Sequence, residues 1–374
     1  MLTLILKASN GCNLRCSYCS VGDKKITSTL TDKQMRDALH FFAEYAITKG
    51  EHDISVIFHG GEPMLLPAQS YRICMEEMVT LFPQLHFRFS MQTNGTLLTQ
   101  EFIDLFSDYD MDVGVSLDGS QPIHDGQRKD IHGQGTYDLV MQHIIEMKKR
   151  QIPVAALMVL TKPALEMDLG FLKQLDQLHI SIKINPLLNM GEASQHSDLM
   201  LQPGDYARFL IRVFRYLICE NLELTVSPLA PLLFGILNGR PPQGCIYHSD
   251  CTQKFICIDS ECNIYPCGRF SDGHQYCIGT LAEGITEQGY KIQKQLLLRR
   301  GENLSAECKN CRALPICNGG CNACVLLQQD NAVSPYICED MRILWDFLHH
   351  EGLDLFQQQL VLEKKRIIEW IEKA

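Results

Sequence analysis

The stretch "LTLILKASNGCNLRCSYCS", residues 2–20, decides how the rest of the chain is read. Its first seven residues form an apolar run of strand length, and the run stops abruptly in a Gly/Asn/Cys loop. Cys12, Cys16 and Cys19 follow within eight residues of one another. Three thiolates on a loop after a strand can hold three irons of a four-iron cluster and leave the fourth open to an outside ligand, whereas four thiolates close it. A zinc knuckle completed by a distant His or Cys is the competing reading, although zinc sites usually show paired CxxC spacing.

Outward from that stretch, short apolar runs alternate with longer amphipathic ones, the pattern of βα units on a parallel sheet. Six strands are expected, at 2–8, 54–59, 85–92, 112–117, 153–159 and 181–185. Helices are expected between them, among them "TDKQMRDALHFFAEYAI", capped by Thr31, and "TYDLVMQHIIEMKKR", whose basic end suits a helix C-terminus. Six units fall short of the eight that close a barrel, so the expectation is an α/β fold built on a partial (β/α)6 TIM-like barrel. After about residue 240 the text turns to Cys, Gly, Pro and Asn, where no long amphipathic helix is expected and ligand bonds take over from the core. The chain closes on helical sequence with a break expected at Gly352. The domain reading is therefore a barrel at 1–235, a cysteine-rich domain at 236–340 and C-terminal helices at 341–374.

Composition narrows the class. With 374 residues and a formal charge of -10 the chain is not a general nucleic-acid binder. No apolar run reaches the roughly 18 residues of a membrane span. The first residues are also too short an apolar stretch for a signal peptide, so the expected compartment is the cytoplasm. Reduced cysteines in that compartment serve metals more often than disulfides. Of the 17, three lie at 12–19, Cys74 and Cys219 stand alone, and twelve fall between Cys245 and Cys338, which implies two metal-bearing regions.

Barrel enzymes keep their chemistry at the C-terminal ends of the strands. There the chain carries "HGGEP" (59–63), "QTNG" (92–95), "SLDG" (116–119) and Arg128. Gly60 and Gly61 permit close backbone approach, and Glu62 offers a carboxylate to an ammonium group. Ser116 and Arg128 can together grip a carboxylate. A ligand with both an ammonium and a carboxylate is an amino acid, or carries one. Asn94 and Asp118 are read as either loop braces or ligand contacts. None of the 13 histidines sits in HExxH or another metal pair; His59 and His274 are kept as candidates.

The four ordered motifs CxxxCxxC, GGEP, TNG and SLDG resemble those of radical S-adenosylmethionine (radical SAM) enzymes. That resemblance spans residues 1 to about 190. It implies that Cys12, Cys16 and Cys19 ligate a cluster that cleaves S-adenosyl-L-methionine to a 5'-deoxyadenosyl radical. Tyr18 and Leu188 would lie near the adenine, Glu62 would meet the amine, and Ser116 with Arg128 the carboxylate. Downstream, the run from Cys245 to Cys338 resembles the SPASM extension of peptide-modifying members, which carries two auxiliary clusters. By that likeness Cys245, Cys251, Cys267 and Cys321 hold one, and Cys308, Cys311, Cys317 and Cys338 the other, giving three 4Fe-4S clusters in all. Cys257, Cys262, Cys277 and Cys324 are left without roles and are read, like Cys74 and Cys219, as small buried hydrophobes; a ligand swap involving Cys262 or Cys324 is the alternative. The implied function is hydrogen-atom abstraction from a residue of a peptide or protein, giving a crosslink, a thioether or an oxidised or epimerised residue in ribosomal peptide maturation. Anaerobic sulfatase maturation, which forms formylglycine, is the alternative, and a non-enzymatic metal-binding module the third. The implied partners are the peptide substrate and an electron donor such as flavodoxin or ferredoxin; because the first strand is expected to leave no room for a leader-binding domain, either the barrel mouth binds the peptide or a separate leader-peptide-binding protein delivers it. Arg269 and His59 are the candidate catalytic groups. Sulfatase maturases carry a proton-accepting Asp directly after the cysteine matching Cys267; here that position is Gly268. The expectation is therefore that no formylglycine forms on a Cys/Ser-x-Pro/Ala-x-Arg peptide.

Overall fold

The computed structural model describes residues 1–21, 27–239, 242, 244, 246–327 and 335–358. Strands β1 (Leu2–Ser9), β2 (Asp53–Gly60), β3 (His86–Thr93), β4 (Asp112–Ser116), β5 (Val154–Leu160) and β6 (Ser181–Pro186) lie within one residue of the expected bounds. They pair in chain order, all parallel, and a two-residue β7 (Val226–Ser227) extends the row. On the other side of β1 lie β8 (Phe255–Ile258), β9 (Asn263–Tyr265), β10 (Gly279–Thr280) and β11 (Gly284–Ile285). The eleven strands form one sheet whose edges are β7 and β11, so the barrel stays open.

Side-chain alternation places the layers. In β5 Val154, Ala156, Met158 and Leu160 are buried, while Ala155 and Val159 line cavities on the other face. β1 is buried on both faces, as its near-continuous apolar sequence demands. Helix Asp32–Thr48 begins in the expected cap: the Gln34 N–H donates to Thr31 Oγ1 and the Thr31 N–H to Gln34 Oε1. Met35, Leu39, Phe42 and Ala46 return at helical spacing to the buried side. Helix Tyr137–Lys149 ends in Lys148 and Lys149, also as expected.

Four expectations are corrected. The cysteine-rich region is not held by ligand bonds alone, because β8 pairs in parallel with β1 and buries Ile256 and Ile258. That region also contains a 13-residue helix, Glu287–Arg299; Thr286 caps it and Leu296 anchors it in the core. Gly352 makes no break: the Pro335–Phe347 helix widens through a π turn at Leu348–Gly352 and continues over 353–358. Expectations for 359–374 lie outside the described residues. Of the six unassigned cysteines, Cys74, Cys257 and Cys324 are buried as expected and Cys262 is half-buried, whereas Cys219 and Cys277 are exposed, which overturns the buried reading for those two. No helix among the described residues is long and apolar enough to cross a membrane.

Candidate active site

The loop after β1 is stitched to its neighbours by backbone. Arg15 and Ser17 donate their N–H groups to the carbonyls of Lys129 (2.7 Å) and Gln127 (3.0 Å), and Gly61 and Glu62 donate theirs to Ser9 and Gly11 (2.8 Å each). The approach leaves no room for side chains: a Cβ on Gly60 would stand 2.2 Å from the Ser9 carbonyl oxygen, and one on Gly61 2.1 Å from that of Gly11. The two glycines thus fix the half-buried cysteine loop against the end of β2. Donors gather on its sulfurs. The Leu14 N–H lies 3.4 Å and Asn94 Nδ2 3.7 Å from Cys12 Sγ, and Arg128 Nη1 lies 4.0 Å from Cys16 Sγ. A donor set of this kind favours thiolates, the form that binds iron.

Glu62 is fully buried and works harder locally than its motif suggested. Its carboxylate accepts from Met64 N–H (2.9 Å), Thr93 Oγ1 (2.7 Å) and Asn94 N–H (2.7 Å), tying the ends of β2 and β3 together. Burial pushes its carboxyl up to about 7 against the pull of those hydrogen bonds. Asn94 braces the same loops, donating to Asn13 Oδ1 and accepting from Thr96. At the end of β4, buried Asp118 accepts from the Tyr18 hydroxyl, from Arg128 Nε (2.8 Å) and from the Val159 N–H (3.0 Å). The Arg128 guanidinium also lies over the Tyr18 ring, 5.2 Å from its centroid. Burial disfavours the cation, but Asp118 outweighs it and holds Arg128 above the ordinary guanidinium range. Ser116 Oγ lies 3.4 Å from Gln92 Nε2.

Two cavities collect the C-terminal cysteines. One of about 230 Å³ is lined by Cys308, Cys311, Cys317 and Cys338, the full quartet expected for one cluster. A second, of about 390 Å³, is lined by Cys251, Cys267 and Cys321; their expected partner Cys245 lies outside the described residues. Burial, reinforced by Cys321, pushes the Cys267 thiol up to about 12, and burial with Cys338 takes Cys317 to about 11. Crowded thiols resist ionising together, so the described thiols of these two cavities fit a polynuclear cation that compensates their charge. A hydrogen bond from Cys324, joined by Arg269, holds Cys321 well below the thiol range despite its burial. Among the described residues no three His, Cys, Asp or Glu side chains gather on a single-ion site.

The 390 Å³ cavity also brings the halves of the chain together. Tyr18, His59, Val159 and Leu188 line it from the barrel, and Arg269 lines it from the cysteine-rich side. His59 accepts the Gly60 N–H at Nδ1 (2.7 Å), and burial with the nearby Lys7 charge pushes it down to about 4. Arg269 Nη1 lies 2.6 Å from Cys324 Sγ and 3.7 Å from Cys321 Sγ. His274 is exposed and does not line this cavity. Sequence reasoning missed Lys7 and Asp272, a part-buried ion pair in the cavity wall. Its one signal was a Lys within an otherwise apolar strand.

Residues 6–169 match the Radical SAM superfamily. The chain is 28% identical over 334 residues to the cysteine-type anaerobic sulfatase-maturating enzyme of Clostridium novyi (strain NT), covering 85% of this chain and 87% of the relative. It is 26% identical over 333 residues to the serine-type anaerobic sulfatase-maturating enzyme of Bacteroides thetaiotaomicron, covering 83% and 80%. Among solved structures, the fold is similar to native anSMEcpe with bound AdoMet and Kp18Cys peptide, with a TM-score of 0.81 and 24% identity over 96% of this chain and 99% of that one. Streptococcus suis SuiB bound to S-adenosylmethionine shares the fold at a TM-score of 0.62 and 16% identity, over 90% of this chain and 77% of that one.

Proposed function

We propose that this chain, which carries a radical SAM domain continued by a SPASM-like cysteine-rich region, oxidises a Cys or Ser side chain of a peptide or protein to formylglycine. The similarity to the cysteine- and serine-type sulfatase-maturating relatives supports this reading over crosslink or thioether formation. The observation that carries it is the 390 Å³ cavity, lined at one side by Tyr18 and Leu188 and at the other by Cys251, Cys267 and Cys321. In this reading Cys12, Cys16 and Cys19 hold one 4Fe-4S cluster, and the two C-terminal quartets, Cys245 included, hold two more. Tyr18, Gly60, Gly61, Glu62, Asn94, Ser116, Arg128 and Leu188 surround S-adenosyl-L-methionine. When bound, these groups supply hydrogen-atom abstraction at one end of the cavity and one-electron acceptance at the other.

The protein's own residues supply position. Asp118 locks Tyr18 and Arg128 into one arrangement before any ligand arrives. Glu62 and the two glycines hold the cysteine loop at the strand ends, and Ile5, Val159, Leu187 and Phe270 give the cavity apolar wall. Gly268 provides no base, which argued against formylglycine from sequence alone, yet the cavity does contain a carboxylate. The test is anaerobic incubation of the iron-loaded chain, S-adenosylmethionine and reductant with Cys-x-Pro-x-Arg and Ser-x-Pro-x-Arg peptides. Mass spectrometry should find formylglycine over several turnovers. Cleavage of S-adenosylmethionine with both peptides left intact refutes the proposal.

A further inference from the structure

We infer that Asp272, held by Lys7 and Ser20, accepts the proton released when the substrate side chain is oxidised; the inference rests on the oxidative reading above. Taking two hydrogens from a CH–SH or CH–OH unit removes a hydrogen atom from carbon, then one electron and one proton from the heteroatom side. In that reading the hydrogen atom passes to S-adenosylmethionine chemistry and the electron to an iron–sulfur cluster. The C=O group of a Ser substrate then stands complete, whereas the C=S group of a Cys substrate takes up water and releases hydrogen sulfide. The proton needs a base on the protein, within hydrogen-bond reach of the substrate or one water away.

Among the described residues Asp272 is the one carboxylate that lines the 390 Å³ cavity. Lys7, Lys183 and Arg269 offer donors but no acceptor. His59 is a poor choice: its Nδ1 is engaged by the Gly60 backbone, 2.7 Å from the N–H and 3.3 Å from the carbonyl, and burial beside the Lys7 charge holds the imidazole down to about 4, a weak base. The Tyr18 hydroxyl is committed to Asp118. Asp272 ends the short Gly268–Asp272 helix, four residues after the glycine, so one side of a single turn presents both positions to the cavity.

The wall around Asp272 is built to hold it. Lys7 Nζ, on β1, bonds Asp272 Oδ1 and the Gly268 carbonyl (2.7 Å), and Ser20 Oγ donates to Asp272 Oδ2 at 2.8 Å. Those two side-chain contacts leave about half of the roughly four lone-pair sites of a carboxylate free for a further partner. The side chain keeps 15% of its exposure, enough for contact from the cavity. Gly268 has ordinary backbone angles. The nearest atoms a Cβ there would meet belong to the side chains of Ile5 and Lys7, at 3.5 Å, ordinary contact distances. A carboxylate can therefore stand at either end of this turn and face the same lysine.

The experiment compares wild type, Asp272→Asn and the double variant Gly268→Asp/Asp272→Asn, each as iron-loaded full chain, on the Cys- and Ser-x-Pro-x-Arg peptides. Asp272→Asn should retain iron and S-adenosylmethionine binding and still release 5'-deoxyadenosine, while formylglycine falls roughly a hundredfold. Freeze-trapped samples of that variant should show a substrate-centred radical by electron paramagnetic resonance, a signature that a merely structural role for Asp272 does not predict. Moving the carboxylate one turn back should restore product to within roughly tenfold of wild type, the scatter expected of a displaced base. If Asp272→Asn fails to load iron because Lys7 is left unpaired, the double variant, which gives Lys7 a new carboxylate, decides alone. Wild-type product from Asp272→Asn, or no product from a folded, iron-loaded double variant, overturns the inference while leaving the proposed function standing. A wild-type enzyme that modifies neither peptide overturns both.

Discussion

Replacing Glu62 by Gln separates the loop-tying role of this residue from a role toward ligand. The carboxylate lies fully buried and receives three hydrogen bonds, two at Oε1 and one at Oε2. A Gln amide can accept from Met64 and Thr93, but its NH2 group then faces the Asn94 N–H, donor against donor. Leaving one buried donor unsatisfied costs about 1–3 kcal/mol. A second effect depends on pH. The folded carboxyl is raised to about 7 from its ordinary 4.5. A carboxyl raised by folding contributes stability that is complete below the unfolded value and lost as pH rises through the folded one. Between pH 5.5 and 8 that loss is about 2 kcal/mol, and it is absent in the Gln variant. Near pH 5.5 the wild-type group is the neutral acid, whose Oε2 still has a lone pair for the Asn94 N–H where the amide NH2 has none, so wild type should exceed Glu62→Gln by up to about 1–3 kcal/mol there, with the gap narrowing by about 2 kcal/mol at pH 8. Urea unfolding of both proteins, kept reduced, measures the gap, and other titrating groups cancel between them. A gap that stays constant over this range refutes the burial argument.

Replacing Cys12, Cys16 and Cys19 together by Ala should remove one cluster's worth of iron and abolish S-adenosylmethionine cleavage while the C-terminal cysteines keep theirs, as read by iron analysis and 5'-deoxyadenosine release. Gly61→Ala should reproduce that loss without touching a ligand, because its Cβ would press on the Gly11 carbonyl and push the cysteine loop away; full iron in this variant would show that the close approach is unimportant. Arg128→Ala leaves buried Asp118 without its cation, at a cost of about 3–5 kcal/mol in stability. It should also weaken S-adenosylmethionine binding roughly ten- to a hundredfold, and titration of the iron-loaded variant at wild-type affinity would remove Arg128 from the site.

Local features were legible in the sequence because local physics sets them. The apolar runs placed six strands to within a residue, and Thr31 announced a helix start that its hydrogen bonds with Gln34 bear out. The resemblance to the SPASM extension grouped four thiols, Cys308, Cys311, Cys317 and Cys338, that line one cavity. Gly60 and Gly61 were read as letting backbone approach a ligand closely; in the structure they let the backbone of the cysteine loop approach. The role of Glu62 was not legible, because a GGE triplet cannot reveal that Thr93 and Asn94, some thirty residues on, will surround it.

The Lys7–Asp272 pair was hidden for a related reason, and it bears on how the two halves of the chain work together. A lone Lys near the end of an apolar strand reads as an edge or a chain end reaching water. It becomes buried only because β8, some 250 residues later, pairs with β1 over Thr3–Leu6, and the turn after β9 then folds the Gly268–Asp272 helix over the Lys7 side chain. Burying an ammonium is tolerable only with a partner carboxylate in good geometry. The sheet junction therefore demands an acid on this helix turn, while Cys267, immediately before the turn, belongs to the quartet expected around an auxiliary cluster. One pairing event thus fixes the strand order, seats a cysteine against the cavity and delivers a carboxylate to its wall. A substitution at Lys7 accordingly reaches the fold, the cluster site and the proton acceptor through a single contact.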